Sequence, residues 1–438
     1  MTVRLEHLRP LAPLQRMLWL MDQYRGGSGV MNVPIVHRLT GDVDIEALAA
    51  AVGALADRHE ALRTAVVRGR GGWAQGIRPR GAAADLVVHD LRGRGADALD
   101  QAVTHRLSQD MDLAESLPYT ADLYRVTDRE HVLMINVHHL ITDAWSNALI
   151  RRDVAALYNA ARGGAVLPAV DWQYRQALDW QEQHLTGDVL VERQDFWRSR
   201  LSGFTAPLLR PAPARRRRSS PPSGNEWMSV DGAELRQLTA LAARYRTSTF
   251  VALTALFLAV LRAETGRSDI GIGSVFANRA RKETHETVGL FANMVLLRVR
   301  VPERCSFADL LRLTRATVLE ALDHQDFPYM TLPVRELRMP AGRPENVVFH
   351  MLAVPPGVRG ASGFHGLDDT ALPLPEAAGS RFDMELLVFP GDTGADGCFR
   401  YAADQFPRDY VRALAGRYRA LVPTVLADPD APLRPESA

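Results

Sequence analysis

The chain has 438 residues, and its 52 Lys and Arg almost balance its 51 Asp and Glu, for a net charge of +1 at pH 7. This balance argues against nucleic acid or an anionic membrane as the main partner. The chain is long for one core, so we expect two domains. Two distant cysteines, no apolar leader and no apolar run of membrane-spanning length predict a soluble cytoplasmic protein without disulfides.

Helical and strand patterns alternate along the first half. The predicted elements are helices at Ile45–His59, Ala98–Leu107 and Trp172–Leu201, and strands at Leu86–His89, Thr120–Val126 and Val132–Val137. Composition then shifts, because Thr205–Asn225 holds five prolines and the run Arg215–Arg218. We interpret this stretch as a solvated linker and not as a nucleic-acid-binding segment.

The second half repeats the alternation. The predicted elements are helices at Ala233–Arg246, Thr249–Glu264 (capped near Ser248), Phe307–Leu322 and onward from Arg408, and strands at Asp269–Val275, Met294–Val301, Asn346–Val354, Met384–Phe389 and Cys398–Tyr401. The fold class is therefore α/β, with domains at 1–180 and 181–438. A cleft between the halves is the expected ligand site.

The segment Asn136–Trp145 marks the point where a strand pattern turns into a helix pattern. It brings His138 and His139 to the end of a strand, and it places Asp143 near the first turn of the next helix. Histidine is the side chain that most readily moves protons at neutral pH. A nearby carboxylate could fix its tautomer or hold the loop that carries it.

The residues alone also allow a structural interpretation, in which both histidines are hydrogen-bonded core residues and Asp143 is a helix cap. Metal binding is disfavoured, because the histidines lack i, i+4 spacing, no Glu follows at the right offset, and Cys305 and Cys398 form no ligand cluster. No phosphate-binding glycine loop, GxSxG elbow or CxxC pair occurs. Nucleotide binding, serine hydrolysis and thiol redox chemistry therefore lack their usual motifs.

Six segments carry a family resemblance. They are Leu11–Leu20, Arg58–Thr64, His138–Asp143, Asp171–Gln181, Val288–Asn293 and His324–Tyr329. In this order they resemble the motifs of the condensation-domain family of nonribosomal peptide synthesis, and His138–Asp143 matches its HHxxxD signature. The resemblance implies two chloramphenicol-acetyltransferase-like lobes in a V, with a central tunnel and the HHxxxD loop at its midpoint.

The resemblance also implies an activity. An acyl or aminoacyl group passes from the phosphopantetheine thioester of a carrier protein to an acceptor amine, or alternatively a hydroxyl, in the biosynthesis of natural products such as antibiotics. His139 would take the proton or orient the amine, with His138 beside it. Asp143 would be structural and pair with Arg279 of the other lobe, with Arg281 as the fallback. Apart from the substrate's phosphopantetheine, no cofactor and no metal are expected.

Several positions near the motifs are expected to support the site. Ala144 replaces the usual Gly, and its methyl could narrow the tunnel or tilt the amide of residue 144, a candidate oxyanion donor. The expected Trp145-Ser146 follows. Asn293 closes the fifth motif, in which Ala292 stands where Val is common. Arg343–Asn346 matches the closing motif only loosely, so these departures bear on substrate preference.

No adenylation motif and no carrier-protein serine site occur. We therefore expect a free-standing monomer that acts in trans on a carrier protein. Three alternatives stay open: a coenzyme A-dependent acyltransferase of the same superfamily, an epimerisation domain, and a non-catalytic synthetase recruitment module. The first two motifs argue against the acyltransferase, the order Trp145-Ser146 against the epimerase, and the intact histidine pair against the recruitment module.

Overall fold

The computed structural model describes residues 5–25, 29, 31–69, 71–95, 97–206, 209, 223–333, 346–352, 358, 363–372, 382–391 and 393–433. The arginine run Arg215–Arg218 lies outside these residues, as do the first three residues of the loosely matched closing motif, Arg343–Glu345.

Helices and strands alternate through the described chain. In chain order they are β1 (Glu6–Pro10), α1 (Pro13–Arg25), β2 (Asn32–Thr40), α2 (Ile45–Arg58), β3 (Thr64–Gly69), β4 (Gly72–Ile77), β5 (Leu86–Asp90), α3 (Ala98–Leu107), β6 (Tyr119–Arg125), β7 (Glu130–His138), α4 (Ala144–Ala161), α5 (Tyr174–His184), α6 (Gly187–Leu201), β8 (Ser223–Asp231), α7 (Gly232–Arg244), α8 (Thr249–Thr265), β9 (Asp269–Phe276), β10 (Asn293–Arg300), α9 (Phe307–Asp323), β11 (Val347–Met351), β12 (Asp368–Ala371), β13 (Met384–Gly391), β14 (Gly394–Ala402) and α10 (Arg408–Ala427).

The chain packs into two compact α/β units, which confirms the predicted fold class. The first comprises Met1–His184, Ala277–Ala292 and Val354–Ala378, and the second comprises Leu185–Phe276, Asn293–Ala353 and Gly379–Ala438. The units are therefore not two continuous halves, because two later segments return to the first unit. The domain boundary after residue 180 stays a prediction.

In the first unit, a five-stranded sheet has the order β12-β2-β7-β6-β5. A smaller sheet has the order β1-β4-β3. Helix α2 buries the stripe that includes Leu48, Val52 and Leu55, and its amphipathic spacing is the reason that only one face packs on the core. Strand β7 lies inside the larger sheet and is buried from His131 to His138. Its carboxyl end is therefore a rigid support for the loop that follows.

In the second unit, one six-stranded sheet has the order β10-β9-β11-β13-β14-β8. Helix α8 is apolar on almost every side and buried from Val251 to Arg262, as expected of a central core helix. Its start is capped as predicted, because the Ser248 side chain accepts from the backbone N–H of Val251. The predicted strands Met384–Phe389 and Cys398–Tyr401 lie in β13 and β14, which pair antiparallel.

One predicted element is wrong in its extent. The single helix expected over Trp172–Leu201 is two helices, α5 and α6. The break falls before Gly187, which has a positive φ of 53°, a conformation that glycine adopts without steric cost. In the described part of the chain, no single helix is long and apolar enough to span a membrane. Helices α7 and α8, which meet at a bend of 100°, reach that length and apolar composition only when they are counted together.

Candidate active site

The histidine pair lies where the sequence predicts it, at the end of a buried strand. Strand β7 ends at His138, a short 3₁₀ helix covers His139–Ile141, and α4 begins at Ala144 with Asp143 as its N-cap. The β-sheet fixes one end of this loop and the helix cap fixes the other. The turn between them therefore has little freedom to reorient the two imidazoles.

The His138 ring is part of the loop's own hydrogen bonding. Its Nδ1 accepts from the backbone N–H of Leu140 at 3.1 Å, and its Nε2 lies 3.5 Å from Oδ2 of Asp22 on α1. A ring nitrogen that accepts a hydrogen bond carries no proton, so this geometry assigns the ring proton of His138 to Nε2. The ring's lone pair is thus used by the Leu140 amide, and the residue is buried.

His139 has the opposite tautomer. Its Nδ1 lies 3.0 Å from the carbonyl oxygen of Thr142, and a carbonyl oxygen can only accept, so Nδ1 carries the proton. In the neutral ring the lone pair is then on Nε2. The backbone N–H of His139 donates to the carbonyl of Met31 at 2.7 Å. The local fold therefore fixes both the position of His139 and the nitrogen that carries its lone pair.

Both carboxylate oxygens of Asp143 are engaged in holding the loop. Oδ1 caps α4 by accepting from the N–H of Ser146 at 2.7 Å. Oδ2 accepts from the N–H groups of Phe291 and Ala292 at 3.0 and 3.1 Å. Arg279 Nη2 lies 3.2 and 3.3 Å from the two oxygens. Asp143 is therefore a structural anchor that joins α4 to the segment 277–292.

Arg279 is the arginine that pairs with Asp143, and its side chain is 1% exposed. It also donates to the carbonyls of Thr284 and Thr287, and its guanidinium lies 4.0 Å from the ring centre of Phe291. Burial lowers the pKa of Arg279, and the Asp143 carboxylate opposes that effect. Arg281, the fallback, pairs instead with Glu283 and is more than a third exposed.

The expected origin of this arginine in the other lobe needs correction. Arg279 belongs to the segment 277–292, which packs with the first compact unit, the same unit that contains Asp143. The segment lies in sequence between β9 and β10, two strands of the second unit. Its buried contacts, however, are with α4 and its N-cap. Sequence position alone therefore gave the wrong unit for Arg279.

Ser146 and Trp145 tie the first turn of α4 to the same segment. Ser146 Oγ donates to the carbonyl of Gly289 at 2.7 Å, and it accepts from Arg279 Nη2 and from the N–H of Gly289. Trp145 Nε1 donates to the carbonyl of His285 at 3.0 Å. These two predicted support residues thus hold segment 277–292 against α4.

The remaining two predicted residues have different surroundings. Ala144 is the first residue of α4 and is exposed, so its methyl group does not fill a packed position. Asn293 begins β10 in the second unit. Its Nδ2 donates to the carbonyl of Gln325 at 2.8 Å, while its buried Oδ1 has no partner among the residues described.

Residues of the first two sequence motifs contact the histidine loop and the helix that follows it. Gln15 on α1 is fully buried, and its side chain donates to the carbonyl of Leu140 and to Gln75. In the second motif, His59 Nε2 lies 2.8 Å from Oδ2 of Asp153 on α4. The first motif therefore holds the histidine loop by a direct hydrogen bond to Leu140, whereas the second acts on it through α4.

In the buried pair formed by His59 and Asp153, the pKa values of both side chains are lowered. Desolvation lowers the pKa of His59, although Asp153 opposes this. Burial would raise the pKa of Asp153, but hydrogen bonds from His59, Arg152 and Arg58 hold it well below its usual range. This pair fixes α4 to α2. Among the described residues, no group of three His, Cys, Asp or Glu could hold a metal ion.

The family of the chain follows from a comparison with known proteins. A family model described as Condensation domain matches residues 6–438. The chain belongs to the condensation-domain family. The match confirms the resemblance carried by the six motifs, and it includes the histidine loop with its Asp143–Arg279 anchor.

Relatives and solved structures agree with this assignment. The condensation domain described here is 34% identical over 442 residues to phosphinothricin tripeptide synthetase PhsC of Streptomyces viridochromogenes, covering 96% of this chain and 39% of that protein. It resembles SgcC5 of Streptomyces globisporus, with 26% identity, a TM-score of 0.79 and coverage of 97% and 100%. The X-domain from teicoplanin biosynthesis shares the fold, with 23% identity, a TM-score of 0.83 and coverage of 97% and 96%.

Three residues that shape the histidine loop were missed at the sequence level. Gln15 lies within a motif, so the resemblance drew attention to its segment but not to its bond with Leu140. Asp22 follows the same motif on α1, and its distance from the histidines in sequence gives no hint of contact. Thr142 acts through its backbone carbonyl, which any residue type would supply.

Proposed function

We propose that this condensation domain transfers an acyl or aminoacyl group from the phosphopantetheine thioester of a carrier protein to an acceptor amine. The observation that carries the proposal is the opposite tautomers of the two histidines. His139 holds its lone pair on Nε2, whereas the lone pair of His138 is used by the Leu140 amide. Among the two histidines and the aspartate of the HHxxxD signature, His139 is therefore the residue suited to accept a proton, because Asp143 uses both oxygens in the anchor.

The chemistry needs one such group. The amine nitrogen attacks the thioester carbonyl, a C–N bond forms, and the C–S bond breaks to release the phosphopantetheine thiol. His139 Nε2 takes the proton that the amine loses, and the departing sulfur receives a proton in turn. An ammonium ion has no lone pair for attack, so a positioned neutral imidazole keeps the amine both reactive and oriented. A thioester is activated enough that no covalent enzyme intermediate is required.

The other residues act by holding this imidazole in place. Asp143 and Arg279 fix the start of α4, and His138 fixes the turn before it. The amide of Ala144, in the first turn of α4, is the candidate donor to the oxyanion that forms on the thioester carbonyl, since helix N-termini favour negative charge. In this scheme Asp143 contributes rigidity and no proton transfer.

The test compares one acyl group on three donors: a carrier protein, coenzyme A and N-acetylcysteamine. If binding energy from the carrier surface and the phosphopantetheine arm positions the thioester, truncated donors lose rate as well as affinity. We expect the highest kcat/KM with the carrier protein, measured by intact-mass spectrometry with a panel of amines. His139→Ala is the negative control, which gives the rate of transfer without the proposed base. Equal or higher kcat/KM with coenzyme A would replace this proposal with a coenzyme A-dependent acyltransferase.

A hydroxyl acceptor is the second candidate. SgcC5, which is 26% identical to this chain, has been solved in complex with (R)-(-)-1-(2-naphthyl)-1,2-ethanediol, a vicinal diol. An alcohol loses its proton to His139 in the same geometry, and the product is an ester. Matched amine and alcohol acceptors with the same carbon skeleton distinguish the two. The preferred acceptor is the one with the higher kcat/KM on the same carrier-bound donor.

A further inference from the structure

Helix α1 contacts the histidine loop at two points. Gln15 donates to the carbonyl of Leu140 at 3.3 Å, and Asp22 Oδ2 lies 3.5 Å from His138 Nε2. Positions seven apart lie on the same face of a helix after two turns. One face of α1 therefore meets both the backbone of the turn and the ring that precedes it.

The contact of Asp22 bears on which nitrogen of His138 carries the proton. A neutral imidazole has one ring proton, and the Leu140 N–H requires that Nδ1 be without it. The proton is then on Nε2, the ring nitrogen that lies 3.5 Å from the carboxylate of Asp22; the Asp22 side chain is 22% exposed, and the His138 side chain is 2% exposed. A carboxylate can only accept from this proton, so it favours this tautomer over the other.

The alternative tautomer would disrupt the turn. If the proton moved to Nδ1, it would face the N–H of Leu140, and two donors would point at each other. The buried Leu140 amide would lose its acceptor, which is costly inside a protein. The turn would then have to change, and with it the orientation of His139, the residue immediately before Leu140.

We propose that Asp22 is a positioning residue, which keeps His138 in the Nε2–H form and thereby fixes the turn that presents His139. Asp22 acts through His138 and does not itself contact the reacting atoms. The kinetic part of this proposal rests on the transfer reaction proposed above. The tautomer itself does not, and it is measurable in the protein without any substrate.

Three variants test it. Asp22→Leu removes the acceptor, Asp22→Asn retains a carbonyl oxygen that can accept from Nε2–H, and Gln23→Ala is the matched control on an exposed neighbour in α1. The first readout is the ¹⁵N chemical shift of the His138 ring in histidine-labelled protein, assigned with His138→Gln. We expect wild type, Asp22→Asn and Gln23→Ala to show the Nε2–H form. Asp22→Leu should shift toward Nδ1–H or a mixture.

The second readout is steady-state kinetics. Because a misplaced general base lowers the rate more than substrate affinity, we expect Asp22→Leu to lower kcat by roughly tenfold to a hundredfold. Its KM should stay near the wild-type value, and Asp22→Asn should recover most of the rate. If Asp22→Leu does not fold, Asp22→Ser, which is too short to reach the ring, takes its place.

The two readouts separate the possible failures. An unchanged His138 tautomer in Asp22→Leu would overturn the role of Asp22, whatever the activity. A shifted tautomer with an unchanged kcat would show that the tautomer does not control His139, which also overturns it. A wild-type protein that transfers nothing would contradict the proposed function, while the chemical shifts would still decide whether Asp22 sets the tautomer.

Discussion

The anchor between Asp143 and Arg279 gives the prediction with the clearest energetic basis. Asp143→Ala removes the cap on α4, which costs about 1 kcal/mol. It also leaves the guanidinium of Arg279 buried without its carboxylate, and breaking a buried pair from one side costs about 3 to 5 kcal/mol. The N–H groups of Phe291 and Ala292 lose their acceptor as well, but both residues are only half-buried, so water can partly replace it. We expect a total loss of about 4 to 6 kcal/mol.

The pairwise part of this loss is isolated by a double-mutant cycle with Arg279→Met. The double variant has neither charge buried alone, so it should be more stable than the sum of the single losses predicts, by about 2 kcal/mol. Equilibrium unfolding in urea gives the free energies of unfolding of the wild type, the two single variants and the double variant. Where two transitions are resolved, one is fitted to each compact unit. Arg281→Ala is the control, and it should change stability by less than about 1 kcal/mol. Additive losses within about 0.5 kcal/mol would show that Asp143 and Arg279 do not stabilise each other.

Three further predictions concern the surrounding residues. Because the pKa of His59 is lowered from 6.5 by burial, the unfolded chain binds more protons than the folded one below that pH. Stability should therefore fall as the pH drops below about 6.5, and His59→Asn should flatten this dependence in urea unfolding. Ala144→Gly should cost less than about 1 kcal/mol of stability, because Ala144 is exposed, and kcat/KM measured with acceptors of increasing size shows whether the methyl group limits the substrate. His138→Ala should lower stability by about 1 to 3 kcal/mol, by removing the acceptor of the Leu140 amide, and should slow transfer less than His139→Ala does.

Much of the fold could be predicted from local pattern. The change from a short, mostly apolar, β-branched run to apolar positions at helical spacing placed the end of β7 and the start of α4 correctly, and Asp143 was recognised as a cap because capping is a local interaction. Strand β12 had no such signal. It is a short strand that pairs with β2 far away in sequence, and pairing between distant strands is decided by tertiary packing.

The site was predictable in its residue types but not in its hydrogen bonding. The motif singled out His138 and His139 as a pair, but their tautomers depend on the Thr142 carbonyl, the Leu140 amide and the Asp22 carboxylate. Two of these three partners are backbone groups, which almost every residue type has, so the sequence does not indicate them. Sequence reasoning could therefore identify both histidines, whereas the distinct role proposed for each depends on coordinates.

The most direct test of the account is the single-turnover rate of acyl transfer by His139→Ala from a carrier-bound thioester to a saturating amine. Positioned proton transfer typically contributes about 10² to 10⁴ in rate, so the account predicts a loss in that range. The loss should occur with an unfolding midpoint close to that of wild type, because His139 is only half-buried. A well-folded His139→Ala enzyme that transfers the acyl group within about tenfold of the wild-type rate would contradict the proposal that His139 accepts the amine proton.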